Sequence, residues 1–231
     1  MKRRRSGIIA FLLLLASTSM NAQKPMHKLH GRVTDFEGIP IDSAMILVKD
    51  VNFDDKYTTF SNEEGYYELE VAEGKYASIA SVRIQDYGKT HLEYWAWNVH
   101  IDDDMQLPIR YDKLEVYGVN VFRVQGAYPG YTIYFRPMAL HRYLEGAKKG
   151  IKTDMAPNKN ELEVKVTING EQVKINHMQK VKEYVGDEFM TAYLIHTDLE
   201  KETSDEPKLF HLIAKDKKFG DMGEAHYFYK E

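Results

Sequence analysis

The chain has 231 residues, with 31 Lys and Arg against 35 Asp and Glu, and its formal net charge is −4 at neutral pH. Nucleic acid and anionic lipid headgroups both require a basic surface, and we expect neither as a partner. The chain has no cysteine, which excludes disulfides, a thiol nucleophile, thiolate-bound zinc and the lipid-modified cysteine that begins bacterial lipoproteins. We therefore expect no lipid anchor, and domains large enough to be stable through their hydrophobic cores.

The N-terminus has the features of a secretory signal peptide. Four basic residues at positions 2–5 precede a short apolar run at 8–16, and the segment STSMNAQ follows. This order predicts cleavage after Ala22, whereas a membrane-spanning helix would need about 20 apolar residues. Cleavage would leave 27 basic and 35 acidic residues, a net charge of −8. We expect an exported protein, periplasmic or extracellular, that is soluble and has no transmembrane segment in its mature chain.

Alternation of apolar and polar residues dominates the first half of the chain. In GYYELEV, Tyr67, Leu69 and Val71 share one face, while Tyr66 shares the other face with two glutamates. This pattern predicts a half-buried antiparallel strand with Tyr66 on the solvent side. Several such strands, separated by Gly and Pro turns at regular spacing, indicate a β-sandwich.

The segment GRVTDFEGIPIDSAMILVKD, followed by TTFSNEEGYYELEVAEGKY, resembles the carboxypeptidase regulatory-like domain, a transthyretin-like β-sandwich. In that family a Gly-x-Val-x-Asp opening leads to a Gly-x-Pro turn, an Ala-x-Val-type strand and a later Thr-Asp-x-x-Gly-x-Phe-type turn. The positions on this pattern are Gly31, Val33, Asp35, Gly38, Pro40, Ala44, Gly65 and Tyr67. Tyr87 and Gly88 depart from it, because they reverse the family's Gly-Tyr order. The resemblance covers residues 28–105 and implies a fold but no single function, since the module accompanies many different proteins.

The second half also has strand patterns. In ELEVKVTINGEQVKI, apolar and polar residues alternate from 162 to 168, and Asn169-Gly170 predicts a type I′ turn. The last hairpin, KLFHLIAKDKKFGDMGEAHYFYK, resembles the end of a bacterial immunoglobulin-like domain, with Asp221 where that family has Asn. Short helices are also considered at 138–145 and 178–185. We predict an all-β protein with two antiparallel β-sandwiches in tandem, a transthyretin-like one over 24–107 and an immunoglobulin-like one over 110–231.

The stretch EYWAWNVHIDDD contains both tryptophans of the chain. By parity, Trp95 and Trp97 share a strand face with Val99 and Ile101, and Tyr94 lies on the opposite, outward face. The tryptophans could belong to a core strand or form a platform for a sugar ring. Because Val and Ile are in phase with them, we favour the core.

Metal and catalytic motifs are weak or missing in the sequence. Asp102, Asp103 and Asp104 are consecutive and lack the spacing of a calcium loop, so that a solvated acidic turn is favoured. His27 and His30 lie three residues apart, but no His-Glu-x-x-His or His-x-x-Glu occurs, and the zinc of metallocarboxypeptidases has no ligands here. We expect no catalytic residue, no metal and no cofactor.

These observations favour a non-enzymatic binding or scaffolding module of the bacterial envelope, which contacts another envelope protein through loops or a sheet edge. One alternative is a carbohydrate-binding accessory protein that uses exposed aromatics. A weaker alternative is a hydrolase whose site is assembled from distant residues. The candidate contact residues are Tyr66 and Tyr94, by outward parity, and Tyr128, in the Gly/Pro-rich loop QGAYPGY. Each offers a flat apolar face with a polar tip.

Overall fold

The computed structural model describes residues 24–124, 126, 129–150, 154–198 and 207–230. The predicted signal peptide at residues 1–22 and the candidate residue Tyr128 lie outside these ranges. The described residues form sixteen strands and one helix: β1 (Met26–Thr34), β2 (Met45–Lys49), β3 (Asp55–Phe60), β4 (Tyr66–Ala72), β5 (Gly74–Val82), β6 (Tyr94–Ile101), β7 (Met105–Gln106), β8 (Ile109–Arg110), β9 (Leu114–Phe122), β10 (Gly130–Ala139), α1 (Leu140–Lys148), β11 (Leu162–Ile168), β12 (Glu171–Val173), β13 (Ile175–Val185), β14 (Glu188–Asp198), β15 (Lys208–Asp216) and β16 (Met222–Tyr229).

Two sheets pack face to face in the first half of the chain. One has the order β4-β1-β7, with β8 also paired to β1, and the other contains β3, β2, β5 and β6. Because successive side chains of a strand point to opposite faces, alternate residues enter the space between the sheets. The core there includes Leu29 and Val33 of β1, Ile46 of β2, Tyr67 of β4 and Ile79 of β5.

The second half repeats this arrangement with other strands. The sheet β13-β14-β10-β9 lies against β12, β11, β15 and β16. Its core includes Val121 of β9, Ile133 of β10, Val166 of β11, Tyr193 of β14 and Phe210 of β15. The all-β class and the two sandwiches in tandem are confirmed.

The two sandwiches share one sheet, which the sequence does not predict. β16 pairs in parallel with β6, through Ala225 with Trp95, His226 with Ala96, and Tyr227 with Trp97. This pairing creates a single eight-stranded sheet with the order β12-β11-β15-β16-β6-β5-β2-β3. A backbone ladder therefore crosses from one half of the chain to the other, in addition to side-chain contacts.

Strand β6 changes the phase of its alternation at Asn98, whose φ of 53° lies in the left-handed region. The residues that enter the first core are Tyr94, Ala96, Val99 and Ile101. The predicted grouping of the tryptophans with Val99 and Ile101 was therefore wrong. The outward placement of Tyr94 was also wrong, because this side chain is fully buried. A count with a period of two residues cannot anticipate a left-handed residue inside a strand.

Both tryptophans lie on the face of β6 that is opposite to Tyr94. Trp95 is buried and Trp97 is half-buried, and Trp97 packs against the second core. The predicted burial is thus confirmed for Trp95, although its neighbours belong to the junction between the sandwiches and not to the first core.

The helical predictions need two corrections. Helix α1 begins at Leu140 and not at residue 138, because Met138 still pairs with Glu115 in the ladder between β10 and β9. Residues 178–185 are not helical, since they belong to β13 and pair with β14 along its length. Within the described part of the chain, no helix is long and apolar enough to span a bilayer.

Candidate functional site

The junction between the sandwiches carries a group of four aromatic side chains, Phe53, Trp95, Trp97 and Tyr117, which we call the aromatic face. The two indoles are stacked, with ring centroids 5.0 Å apart. Phe53 lies nearly parallel to both, at 5.9 Å from Trp95 and 6.2 Å from Trp97. Tyr117 meets both indoles edge-on, at 5.3 and 5.2 Å. Three separate segments of the chain therefore form one aromatic surface.

Local sequence explains how each ring reaches this surface. Trp95 and Trp97 are two residues apart on β6 and so point to the same side. Phe53 is at the end of the polar turn that joins β2 to β3, and its φ is 71°. A bulky residue in this left-handed conformation costs about 1 kcal/mol or more. The turn holds it there because the Asp50 carboxylate accepts the backbone N–H groups of Asn52 and Asp54, at 2.8 and 3.2 Å.

Two carboxyl groups border the aromatic face. The Trp95 indole N–H donates a hydrogen bond to Glu115 Oε1 at 2.9 Å. Burial raises the pKa of Glu115 to about 8, and the negative charge of Glu93 adds to this shift. The hydrogen bond from Trp95 and the positive charge of Arg136 oppose it. Burial also raises the pKa of Glu93, which Lys49 opposes. Glu115 is thus mostly protonated at neutral pH, and the aromatic face carries less negative charge than its sequence indicates.

Two buried polar groups on this side of the sheet have no hydrogen-bonding partner among the described residues. They are the indole Nε1 of Trp97 and the hydroxyl of Ser78. Ser78 pairs directly with Trp97 across the ladder between β5 and β6, and directly opposed residues share a sheet face. Most buried polar groups in folded proteins are hydrogen-bonded, so this pair identifies unused bonding capacity next to the aromatic rings.

The opposite face of β6 carries a group of polar side chains that we call the histidine network: Tyr94, Arg110, His211, Glu224 and His226. The Tyr94 hydroxyl lies 2.7 Å from His226 Nδ1, and the rings of His226 and His211 are stacked at 4.3 Å. Glu224 receives hydrogen bonds from the Arg110 backbone N–H and guanidinium, at 3.1 and 2.6 Å. His211 Nε2 lies 2.9 Å from the same carboxylate. This network connects β6 and β8 of the first sandwich to β15 and β16 of the second.

Burial and neighbouring charges shift the pKa values of the histidine network. Burial lowers the pKa of His226 to about 3, and the positive charge of His211 adds to this shift. The negative charge of Glu224 opposes it. Burial alone would raise the pKa of Glu224, but hydrogen bonds from His211 and Arg110 hold it below its usual value. His226 is therefore neutral and Glu224 is ionised at neutral pH.

The candidate contact residues from the sequence do not come together. Tyr66 lies on β4 with 56% of its surface exposed, as its parity predicted, and the Arg32 guanidinium lies 5.3 Å from its ring centroid. Tyr94 is buried in the histidine network and offers no surface to a partner. Tyr128 lies outside the described residues. Of the three, Tyr66 keeps its predicted accessibility, and its role in binding stays a prediction.

The acidic turn is exposed, as predicted for Asp102, Asp103 and Asp104. The fold also brings His27 near it, with ligand atoms of His27, Asp103 and Asp104 all within 4.8 Å of one another. However, Asp104 accepts the backbone N–H of Lys28 at 2.8 Å, and Asp103 accepts that of Asp104 at 2.8 Å. These carboxylates stabilise the turn against β1, and we assign the group a structural role.

Sequence reasoning missed Phe53, Ser78, Glu115 and His226. Glu115 stands between two apolar residues in KLEVYGV, and a charged residue within an apolar strand was a usable signal. Phe53 is a lone aromatic in the polar turn DVNFDD, which was a weaker signal. Ser78 and His226 gave none, since their importance depends on neighbours that are distant in sequence.

Comparison with known proteins gives likeness of fold alone. No family model matches the chain, and no curated protein matches it. A DUF3823 family protein from Parabacteroides merdae ATCC 43184 aligns over 90% of this chain and 100% of its own, at 12% identity and a TM-score of 0.29. The major pilin subunit BcpA of Bacillus cereus aligns over 88% of this chain and 67% of its own, at 10% identity and a TM-score of 0.30. The major pilin SpaD of Corynebacterium diphtheriae aligns over 89% of this chain and 64% of its own, at 8% identity and a TM-score of 0.27. Likeness at this level carries no argument about function.

Proposed function

We propose that this chain is an exported, non-enzymatic binding or scaffolding module of the bacterial envelope, and that it binds another envelope protein through the hairpin of β13 and β14. Export is supported by the basic and apolar segments at residues 2–16. A scaffolding role is supported by the eight-stranded sheet, which holds both sandwiches in one orientation. The observation that carries the proposal is the exposed tip of the hairpin.

The hairpin of β13 and β14 combines a sheet edge with exposed aromatics. Within the described residues, β13 pairs with β14 and no strand pairs with its other edge. At the tip, Tyr184 and Phe189 form a cross-strand pair, with ring centroids 5.4 Å apart. Their surfaces are 66% and 60% exposed. Exposed aromatic pairs are typical of binding hot spots, because they supply a large contact area with few rotatable bonds.

The charges beside the tip indicate the chemistry of the partner. Lys180 and Lys182 are exposed along β13, and the Lys182 ammonium lies 5.4 Å from the centroid of the Phe189 ring. Lysines on an edge strand disfavour indiscriminate pairing with other strands. The turn itself carries exposed Asp187 and Glu188, so a partner that offers an apolar groove with charges of both signs at its rim would fit the tip.

Photo-crosslinking tests this proposal. A photoreactive amino acid in place of Tyr184 or Phe189 should crosslink a discrete protein of the native envelope. The matched control is the same substitution at Tyr143 of α1, which is also an exposed aromatic and should give no such product. The double variant Tyr184→Ser, Phe189→Ser should abolish capture with an unchanged melting temperature. Equal crosslinking from position 143, or full capture by the double variant, would overturn the proposal.

A further inference from the structure

We propose that the aromatic face, with Ser78 beside it, is a binding site for a pyranose ring of a glycan, and that Phe53 covers this site in the free protein. The proposal is independent of the protein partner proposed above, because it involves a different ligand and different contact residues. It combines three observations: nearly parallel rings, buried polar groups without partners, and an aromatic residue with a strained backbone next to the rings.

The rings offer the apolar half of a sugar site. A pyranose has a face of C–H groups that packs on an aromatic plane, and its hydroxyl groups point outward around the ring. Trp95 and Trp97 are stacked with an interplanar angle of 18°, so that their surfaces have nearly the same orientation. Phe53 is within 19° of both, with its ring centroid 5.9 and 6.2 Å from theirs, and we infer that a sugar ring would take the place of the Phe53 ring next to the indoles.

The buried polar groups offer the hydrogen-bonding half of a sugar site. Trp97 Nε1 and Ser78 Oγ are buried without partners in the described residues, and Ser78 has no exposed surface. An unpaired buried donor is unfavourable, and a ligand hydroxyl that bonds to it removes that penalty. An alkyl or aromatic ligand would leave both groups unsatisfied. A polyhydroxylated ring satisfies them and still packs on the indoles.

The charges around the site favour a neutral ligand. Glu93 and Glu115 border the site, and burial raises the pKa of both carboxyls, so that they attract a cation less than two fully ionised carboxylates would. Lys49 has its ammonium 5.1 Å from the Phe53 ring centroid, and Arg136 has its guanidinium 4.6 Å from the Tyr117 ring centroid, which disfavours a cationic ligand. Both cations already have carboxylate partners, Asp55 and Glu183, so that the rim attracts neither charge sign strongly and fits a neutral polyol.

Phe53 has the features of a cover that can move. It lies in a short turn between β2 and β3, and 41% of its surface is exposed. Its φ of 71° is a conformation that bulky residues rarely adopt. Such strain is found where the surrounding structure holds a residue in place for function. We infer that movement of this turn displaces the Phe53 ring from its place next to the indoles and opens the site.

The first experiment is a screen of the full mature chain on an array of plant, microbial and host oligosaccharides. The strongest array ligand is then titrated by calorimetry. Ser78→Ala should weaken its binding about tenfold, the effect of one lost hydrogen bond, without lowering the melting temperature, since Ser78 has no partner to lose. The matched control is Ser81→Ala, a buried serine on the same strand that pairs with Tyr94 on the other face, and this variant should bind normally.

A second variant tests the cover. Phe53→Gly removes the ring and tolerates the positive φ without strain. We expect the Phe53 ring and the sugar to compete for the same place. This variant should therefore bind the sugar several-fold more tightly, because the site no longer has to open before the sugar enters. Binding to none of the array glycans overturns the proposal. Binding that Ser78→Ala leaves unchanged, or that Phe53→Gly abolishes, overturns this site.

Discussion

The two faces of strand β6 at the junction differ in the side chains that they place at the boundary between the sandwiches. On the histidine network, Tyr94, His226 and Glu224 each have a hydrogen-bonding partner. On the aromatic face, Trp97 Nε1 and Ser78 Oγ have none within the described residues. Both faces lie at the same boundary between the sandwiches. Ser81 Oγ, on the face of Tyr94, also has no partner among the described residues. The contrast is therefore one of kind: a charged network connects the two halves on the first face, whereas the second face has aromatic rings with unpaired polar groups beside them.

Removal of Glu224 should produce the largest effect, because it would break the histidine network. Glu224→Ala leaves the Arg110 guanidinium and His211 without their carboxylate, and loss of a buried charged partner costs about 3–5 kcal/mol. Urea unfolding at pH 7 should show this loss in the free energy of unfolding. The control Glu145→Ala removes an exposed carboxylate 3.5 Å from Lys218 and should cost about 1 kcal/mol or less. Similar losses for both variants would show that the network does not join the halves.

Acidification should destabilise the protein through His226. Its pKa is lowered to about 3 in the folded state by burial, against about 6.5 when unfolded. Between these values the unfolded chain binds more protons, so the stability from this group is complete above pH 6.5 and is lost as the pH falls towards 3. We expect a loss of about 3 kcal/mol between pH 7 and pH 4. His226→Gln should flatten this part of the profile, and an unchanged slope would contradict the assignment.

A rise in pH should destabilise the protein through Glu115 at the aromatic face, whereas a fall in pH acts through His226. The pKa of Glu115 is raised to about 8 by burial, so its stabilising contribution is complete below its unfolded value of about 4.3 and is lost as the pH rises through 8. We expect a loss of about 1 kcal/mol between pH 7 and pH 9, together with a change in Trp95 fluorescence. In Glu115→Gln, whose amide can still accept from the indole, both changes should disappear. Persistence of the fluorescence change in this variant would exclude Glu115 as its source.

The smallest effect on stability is expected at Tyr66, which belongs to neither face. Tyr66→Ala removes an exposed side chain, and we expect a change within about 0.5 kcal/mol in the free energy of unfolding. If Tyr66 contacts the envelope partner, capture should weaken while the melting temperature stays the same. A melting temperature lowered by several degrees with normal capture would instead identify Tyr66 as a packing residue.

Local patterns predicted much of each sandwich. In β4, Tyr67 and Val71 are buried and Tyr66 is exposed, as the alternation in GYYELEV required. Asn169 and Gly170 both have positive φ, 51° and 86°, as the type I′ turn between β11 and β12 requires. These features depend on residues within a few positions of one another, and a sequence reports such relations directly.

The same reasoning was wrong for β6, and the reason is physical. Parity assigns side chains to two faces, but it does not say which structure covers each face. The left-handed backbone at Asn98 reversed the phase, so that Tyr94 entered the first core and Trp97 packed against the second. The relative positions of Glu115 and Trp95 also depend on the packing of β9, which no local pattern contains.

The sequence by itself determined the all-β class, the turns and the faces of strands that pack within one sandwich, because backbone propensity and alternation are local properties. Only the tertiary structure decided that β16 pairs with β6, across about 130 positions of sequence. That pairing joins the sandwiches and produces both the histidine network and the aromatic face. Parallel pairing between distant strands is set by the packing of the whole chain, and no nearby residue specifies it.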